Sequence, residues 1–172
     1  VDLVYTPGDC FGHADLILRA TEARPYSLYF GYENTGNDFI GRDRYFVGGE
    51  WGNVGGWDHI LGYQYTTTGD FDNLHAHSAT YRIPIWQLRH ELRLLAAYVE
   101  VDGAIQTNSG QMLNSGGRSH QVSASYVLPG PTFLGYSHDI ELGFDHKATN
   151  NNLEFGGLQV FDNSAEIYQF VI

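Results

Sequence analysis

The chain has 172 residues, of which 17% are charged and 15% aromatic, and a net charge of −11 at pH 7. Nine Lys and Arg, scattered singly, argue against a nucleic-acid partner and leave metal cations or basic polypeptides. A lone cysteine, Cys10, excludes an internal disulfide and a cysteine-rich zinc site. No run of about 18 apolar residues is present to cross a membrane as a helix, a test that does not apply to spanning strands, which are short and only half apolar.

Twenty-one glycines and 12 tyrosines give a profile of short strands and tight turns. The length fits one domain, 1–172. The chain opens at Val1 without an initiator Met or a basic-then-apolar signal pattern, and reads as a processed chain or an excised piece.

Residues 1–12, ending Pro7-Gly-Asp-Cys-Phe-Gly12, read as an extended lead-in broken by a turn, and Asp15 to Thr21 as a candidate strand. Residues 1–24 are therefore a lead-in strand and linker, with strands filling 25–172. In the next stretch Tyr26, Leu28, Phe30 and Tyr32 share one face of a strand and Ser27, Tyr29, Gly31 and Glu33 the other, because side chains alternate with period two. The turn Glu33-Asn-Thr-Gly-Asn37 tolerates positive φ and backbone capping.

Arg44 to Trp51 alternates in the same way and ends at the turn run Gly52 to Gly56. His59 to Thr66 follows, then a loop at 68–73. The next predicted strand, Leu74 to Ile83, places His75, His77, Ala79 and Tyr81 together and stops at Pro84, with Trp86 just beyond as an interfacial anchor. His90 to Val101 has helix-favouring composition, yet Leu92, Leu94, Ala96 and Tyr98 alternate with Glu91, Arg93, Leu95 and Ala97 between strand neighbours, so it too is predicted as a strand.

The polar segment Asp102 to Gly117 reads as a surface loop. His120 to Leu128 alternates again, and Pro129-Gly-Pro131 turns the chain. Ile140, Leu142 and Phe144 then oppose Asp139, Glu141, Gly143, Asp145 and Lys147. A second polar loop at 148–152 leads through 153–163 into a last strand, Ala165 to Ile172. Long polar loops at one end and short Pro or Gly turns at the other are the pattern of an outer-membrane barrel.

Pro7-Gly8, Gly12, Ala14-Asp15-Leu16, Arg24-Pro25-Tyr26, Tyr32-Glu-Asn-Thr-Gly36, Gly41-Arg42, Trp51-Gly52-Asn53 to Trp57-Asp58, Tyr81-Arg-Ile-Pro-Ile85 and Phe144-Asp-His-Lys147 together resemble the haemolysin secretion/activation transporters. These are the outer-membrane pores of two-partner secretion, within the Omp85 superfamily. The resemblance covers essentially the whole chain. It implies a bacterial outer-membrane location, an exported polypeptide partner, contact with outer-membrane lipid, no nucleic acid and no cofactor. It also implies that this chain supplies about eight strands, roughly half of a larger wall. The alternative is a reduced relative whose eight strands close alone, with side chains filling the interior.

For chemistry, His75 and His77 share a face about 7 Å apart, but two imidazoles do not make a metal site, and Asp70, Asp72 and Asn73 match no EF-hand, so no metal is assigned. No nucleophile elbow is present, and Ser119-His120 lacks a placed acid, so no catalytic residue is named and the chain is not read as an enzyme. The expectation is an all-β, antiparallel up-and-down meander, a barrel or barrel segment of about eight strands of outer-membrane type. Lumen-facing polar candidates are Glu33, Arg44, Glu50, Arg82, Glu91, Arg93 and Glu141, joined in an ion-pair lattice. Lipid-facing candidates are Tyr26, Leu28, Phe30, Tyr32, Ile140, Leu142 and Phe144. The rival is a water-soluble barrel or sandwich that binds a small ligand or a protein, with the apolar face turned inward.

Overall fold

The computed structural model describes residues 2–10, 12–19, 24–37, 40–106, 112–132, 134–155 and 158–171. Two strands open the chain, β1 (Asp2–Pro7) and β2 (Ala14–Arg19), paired antiparallel in a sheet of their own. The expected lead-in strand and linker is thus a hairpin. Its turn is closed by the Gly8 N–H donating to the His13 carbonyl (3.0 Å) and the His13 N–H to that of Cys10 (3.1 Å). The predicted end of the second strand, at residues 20–21, lies outside the described residues.

Eight further strands follow: β3 (Tyr26–Glu33), β4 (Arg44–Val54), β5 (His59–Thr68), β6 (Leu74–Ile85), β7 (His90–Gln106), β8 (Met112–Pro129), β9 (Asp139–Phe155) and β10 (Leu158–Val171). They form one sheet in strict chain order, each antiparallel to its neighbour, which is the expected meander. β3 and β10 are its two edges and do not pair with each other, so the eight strands are not closed on themselves. Among the described residues no helix is long and apolar enough to cross a membrane, which says nothing of strands.

Local sequence accounts for the elements. The turn after β4 uses positive φ at Asn53 (55°), Gly55 (66°), Gly56 (79°) and Asp58 (58°), residue types that tolerate this region. The segment from His90 is strand, as its alternation predicts: it pairs with β6 and β8 on both sides, which overrides helical propensity.

Several strands run past the boundaries of the sequence reading. β4 ends at Val54 where Trp51 was expected, and β5 at Thr68 where Thr66 was expected. Asp102 to Gly117 is not a loop. Pairing continues from Asp102↔Gly116 to Gln106↔Met112, with residues 107–111 outside the description. Residues 148–163 likewise continue β9 and β10, paired through Asn152↔Asp162 and up to Phe155↔Leu158, with 156–157 undescribed. In both places Asn, Asp, Ser and Gly dominate the sequence, which masks the alternation that marks a half-buried strand. β6 also passes Pro84 and ends at Ile85.

The register assembles two kinds of row. Tyr26, Trp51, Leu61, Tyr81, Leu94, Ala124, Phe144 and Phe170 stand opposite one another across all eight strands. One pleat away, on the other face, the row reads Ser27, Glu50, Gly62, Thr80, Leu95, Ser123, Asp145 and Gln169. One face is oily and its reverse mostly polar, as successive residues of a pleated strand require.

This is a single layer with almost no core of its own. Among the described residues the buried hydrophobics are Leu74 and Val127, while Leu28 and Phe30 are 86% and 89% exposed. A soluble sandwich or small barrel would have turned those side chains inward.

On the polar face of β3 and β4 two aromatic rings lie across glycines. Phe46 covers its register partner Gly31, and Tyr29 covers its partner Gly48. A Cβ on Gly31 would come within 2.2 Å of Phe46 Cζ, and one on Gly48 within 2.5 Å of the Tyr29 hydroxyl. Tyr29 reaches on to donate to Gln64 Oε1 of β5 (3.0 Å). Glycine is needed here for close approach, and the rings pin the pairing of the edge strand.

Candidate functional site

The seven polar positions expected to share a face do so. Glu33 and Arg44 are register partners, and so are Arg82 and Arg93, with Glu50, Glu91 and Glu141 on the same side. Part of the expected lattice is formed. Arg82 Nη2 meets Glu50 Oε2 at 3.2 Å, and Arg93 engages Glu91 on its own strand and Glu141 across β8 at 3.8 Å. Lys147 reaches Asp145 at 3.7 Å. Arg44 departs from the expectation: its Nε is sealed from solvent and has no hydrogen-bond partner among the described residues.

These groups border a groove of about 570 Å³ lined by Glu50, Arg82, Arg93, Ser123, Glu141 and Asp145. Asp139, Glu141 and Asp145 do not form a carboxylate pair of the kind acid–base chemistry needs, since Glu141 and Asp145 face Arg93 and Lys147 respectively.

The seven apolar candidates fall together on the opposite face. Tyr26, Leu28, Phe30 and Tyr32 line the edge strand, and Ile140, Leu142 and Phe144 line β9, all exposed. The row between them is continuous, through Trp51, Leu61, Tyr81, Leu94 and Ala124.

Sequence reasoning missed how the histidines of this face are used. His75 and His77, weighed above as metal ligands, each have Nδ1 hydrogen-bonded to a tyrosine hydroxyl on β5, Tyr65 and Tyr63 respectively, both at 2.7 Å. At the other end of the strands His59 Nδ1 meets the Tyr81 hydroxyl (2.7 Å) and His90 Nδ1 that of Tyr126 (2.6 Å). His146 packs tilted against Tyr168 (4.8 Å between ring centroids) and reaches Glu166 through Nε2 (2.8 Å), with His120 alongside at 5.6 Å between ring centroids. Among the described residues no three His, Cys, Asp or Glu side chains are gathered as a metal would need. The signal was present in the parity of Tyr63, Tyr65, His75 and His77, but only the register brings the two strands' sets together.

The Asp70 loop is also accounted for without a cation. Asp70 accepts from the Thr68 hydroxyl (2.6 Å) and from the backbone amides of Asp72 and Asn73. The Thr68 hydrogen bond foremost holds its carboxyl below the usual range, aided by those amides and opposed by burial. It is a turn cap.

The family model of the haemolysin secretion/activation protein ShlB/FhaC/HecB matches residues 12–160. No curated protein is matched. Among solved structures, CdiB from Escherichia coli superposes with a TM-score of 0.74 at 15% identity, over 98% of this chain and 31% of that one, a likeness of fold. The chain thus spans about a third of the length of the structure it resembles. With the family model matching most of its length, the chain belongs to the ShlB/FhaC/HecB haemolysin secretion/activation family of outer-membrane transporters.

Proposed function

We propose that this chain is a length of the wall of a two-partner secretion pore. Its apolar face lies against outer-membrane lipid, and its polar face lines a conduit through which a partner polypeptide passes extended. The observation that carries the reading is the pair of adjacent rows, one oily and one mostly polar, that persist across all eight strands of a layer with no second layer to cover it. Only a solvent that is itself apolar stabilises such a face, and only a closed wall satisfies its edge strands there. On the polar side Ser123, Ser125, Gln121 and Thr80 offer weak, exchangeable hydrogen bonds, and the nearby charges are paired. Such a wall does not hold a passing chain tightly. No side chain is assigned a catalytic part in this reading.

Neighbouring residues of β8 test it, because Val122 and Ser123 point to opposite faces. In a Cys10→Ser background, Ser123→Cys is expected to react with a water-soluble maleimide in intact outer membranes and to cross-link the polypeptide in transit. Val122→Cys is expected to do neither and to be quenched by lipid-borne probes. The reverse pattern, or equal reaction at both sites, would sink the proposal.

A further inference from the structure

The apolar face repeats one device at both ends of its strands. In four cross-strand pairs a tyrosine hydroxyl lies 2.6–2.7 Å from a histidine Nδ1: Tyr81 with His59, Tyr126 with His90, Tyr65 with His75 and Tyr63 with His77. The partners are diagonal. Tyr63 stands opposite Ala79 and bonds His77, and Tyr65 stands opposite His77 and bonds His75.

A phenol hydroxyl both donates and accepts; in the tautomer in which it donates to Nδ1, the ring's own hydrogen is on Nε2. In none of the four does Nε2 have a hydrogen-bond partner among the described residues, and none is sealed from the surface. In that tautomer each pair leaves one N–H donor available on a face that is otherwise oily.

The spacing matches a bilayer. His90 pairs with Ile85 on β6, ten residues from His75 on the same strand. Ten residues span about 33 Å of strand, and at a tilt of about 40° about 25 Å of depth, the height of the apolar band on an outer-membrane barrel. The three tryptophans, Trp51, Trp57 and Trp86, cluster at the His59–His90 end.

We propose that the tyrosine-locked imidazoles of His59, His75, His77 and His90 are headgroup anchors, donating from Nε2–H to the phosphates of the lipid surface at the two rims of the apolar band. This rests on the membrane reading above. The charged groups around them set the local field. On β7, Tyr98 and Glu100 stand opposite His77 and His75, and Glu100 is tied to Arg118 of β8. The β5–β6 loop adds Asp70 and Asp72 at that end, while Asp58 precedes His59 and Arg89 precedes His90.

The test uses the full-length protein, with the unfolding midpoint read by heat-modifiable gel mobility in phosphatidylglycerol vesicles and in maltoside micelles, which carry no phosphate. In vesicles the midpoint is expected to lie above that of the H59F/H75F/H77F/H90F variant by on the order of 5 °C. In maltoside the difference is expected to be less than half of that. The two half-variants, H59F/H90F and H75F/H77F, should each remove part of it, which keeps the test open if the fourfold change prevents folding. Replacing the exposed His13 and His138, which lie off the eight-stranded sheet, should remove none. A difference that is absent in vesicles, equal in vesicles and maltoside, or reproduced by inorganic phosphate in maltoside overturns the proposal. Failure of the full-length protein to reach a heat-modifiable state in any vesicle would instead overturn the membrane reading itself.

Discussion

Gly31→Ala is a one-methyl test of whether the edge of the wall is held by rings lying on glycines. The added Cβ would stand 2.2 Å from Phe46 Cζ. Ordinary contact between carbons begins near 3.5 Å, so the ring must move by more than about 1 Å. Leaving its seat forfeits the ring's contact with the β3 backbone, at a cost of roughly 1–3 kcal/mol for an overpacked site. Against this stands a gain of about 0.5–1 kcal/mol from replacing glycine within a strand. The net expectation is a loss of about 1–2 kcal/mol, read as a lower urea midpoint for the folded protein in detergent micelles or vesicles. The sign of the second-site effect is decisive. In a Phe46→Ala background nothing occupies the space above Gly31, so the same substitution should be neutral or stabilising. An equal cost in both backgrounds would show that the ring is not the reason for the glycine, and the interlock would be refuted.

Other outcomes follow from the same geometry. Arg82→Gln, which breaks one half-exposed pair with Glu50, should cost less than about 1 kcal/mol; Arg93→Gln, which abandons both Glu91 and Glu141, should cost more. Both losses should shrink in high salt when unfolding is driven by urea. The Asp70 carboxyl should titrate by NMR below its ordinary value of 3.8, and Thr68→Ala should move it back up while Thr68→Ser should not. Because the folded value is depressed, the stability that this cap contributes is present above the ordinary carboxyl value and is lost as pH falls through the folded one. Tryptophan emission in bilayers should be quenched more by lipids brominated near the headgroup than by those brominated deep in the chains. All three rings lie toward one end of the apolar face, and stronger deep quenching would show that the seat is misplaced.

The strands were legible wherever one face is oily. Tyr26 to Tyr32 and Ile140 to Phe144 announced both their conformation and their shared side, because a period of two survives any detail of pairing. Legibility failed where runs of polar residues and glycine hide the alternation. Asp102 to Gln106 and Asn150 to Phe155 have a loop's composition, yet hydrogen-bond to a neighbouring strand as fully as the rest. Composition reports what surrounds a backbone, and pairing is a separate fact. The relations across strands were hidden for another reason. That His77 belongs with Tyr63, or Gly31 with Phe46, depends on register, and a shift of one residue would have put each partner on the opposite face. The lattice was half visible for the same cause: the named residues share a face, but Arg44 stands opposite Glu33 without an ion pair between them among the described contacts.

The strict chain order of the sheet bears on how such a wall is made. Every strand from β4 to β10 pairs with the strand immediately before it, so each new length of chain finds its partner already beside it. The entropic cost of closing a loop is then met one hairpin at a time and never over a long separation. Growth can proceed from one end like a zip, with a single free edge advancing as each strand arrives. Among the described strands, the edges of β3 and β10 are what such growth leaves unpaired, so on the pore-wall reading the closure of that seam is the slow step of assembly.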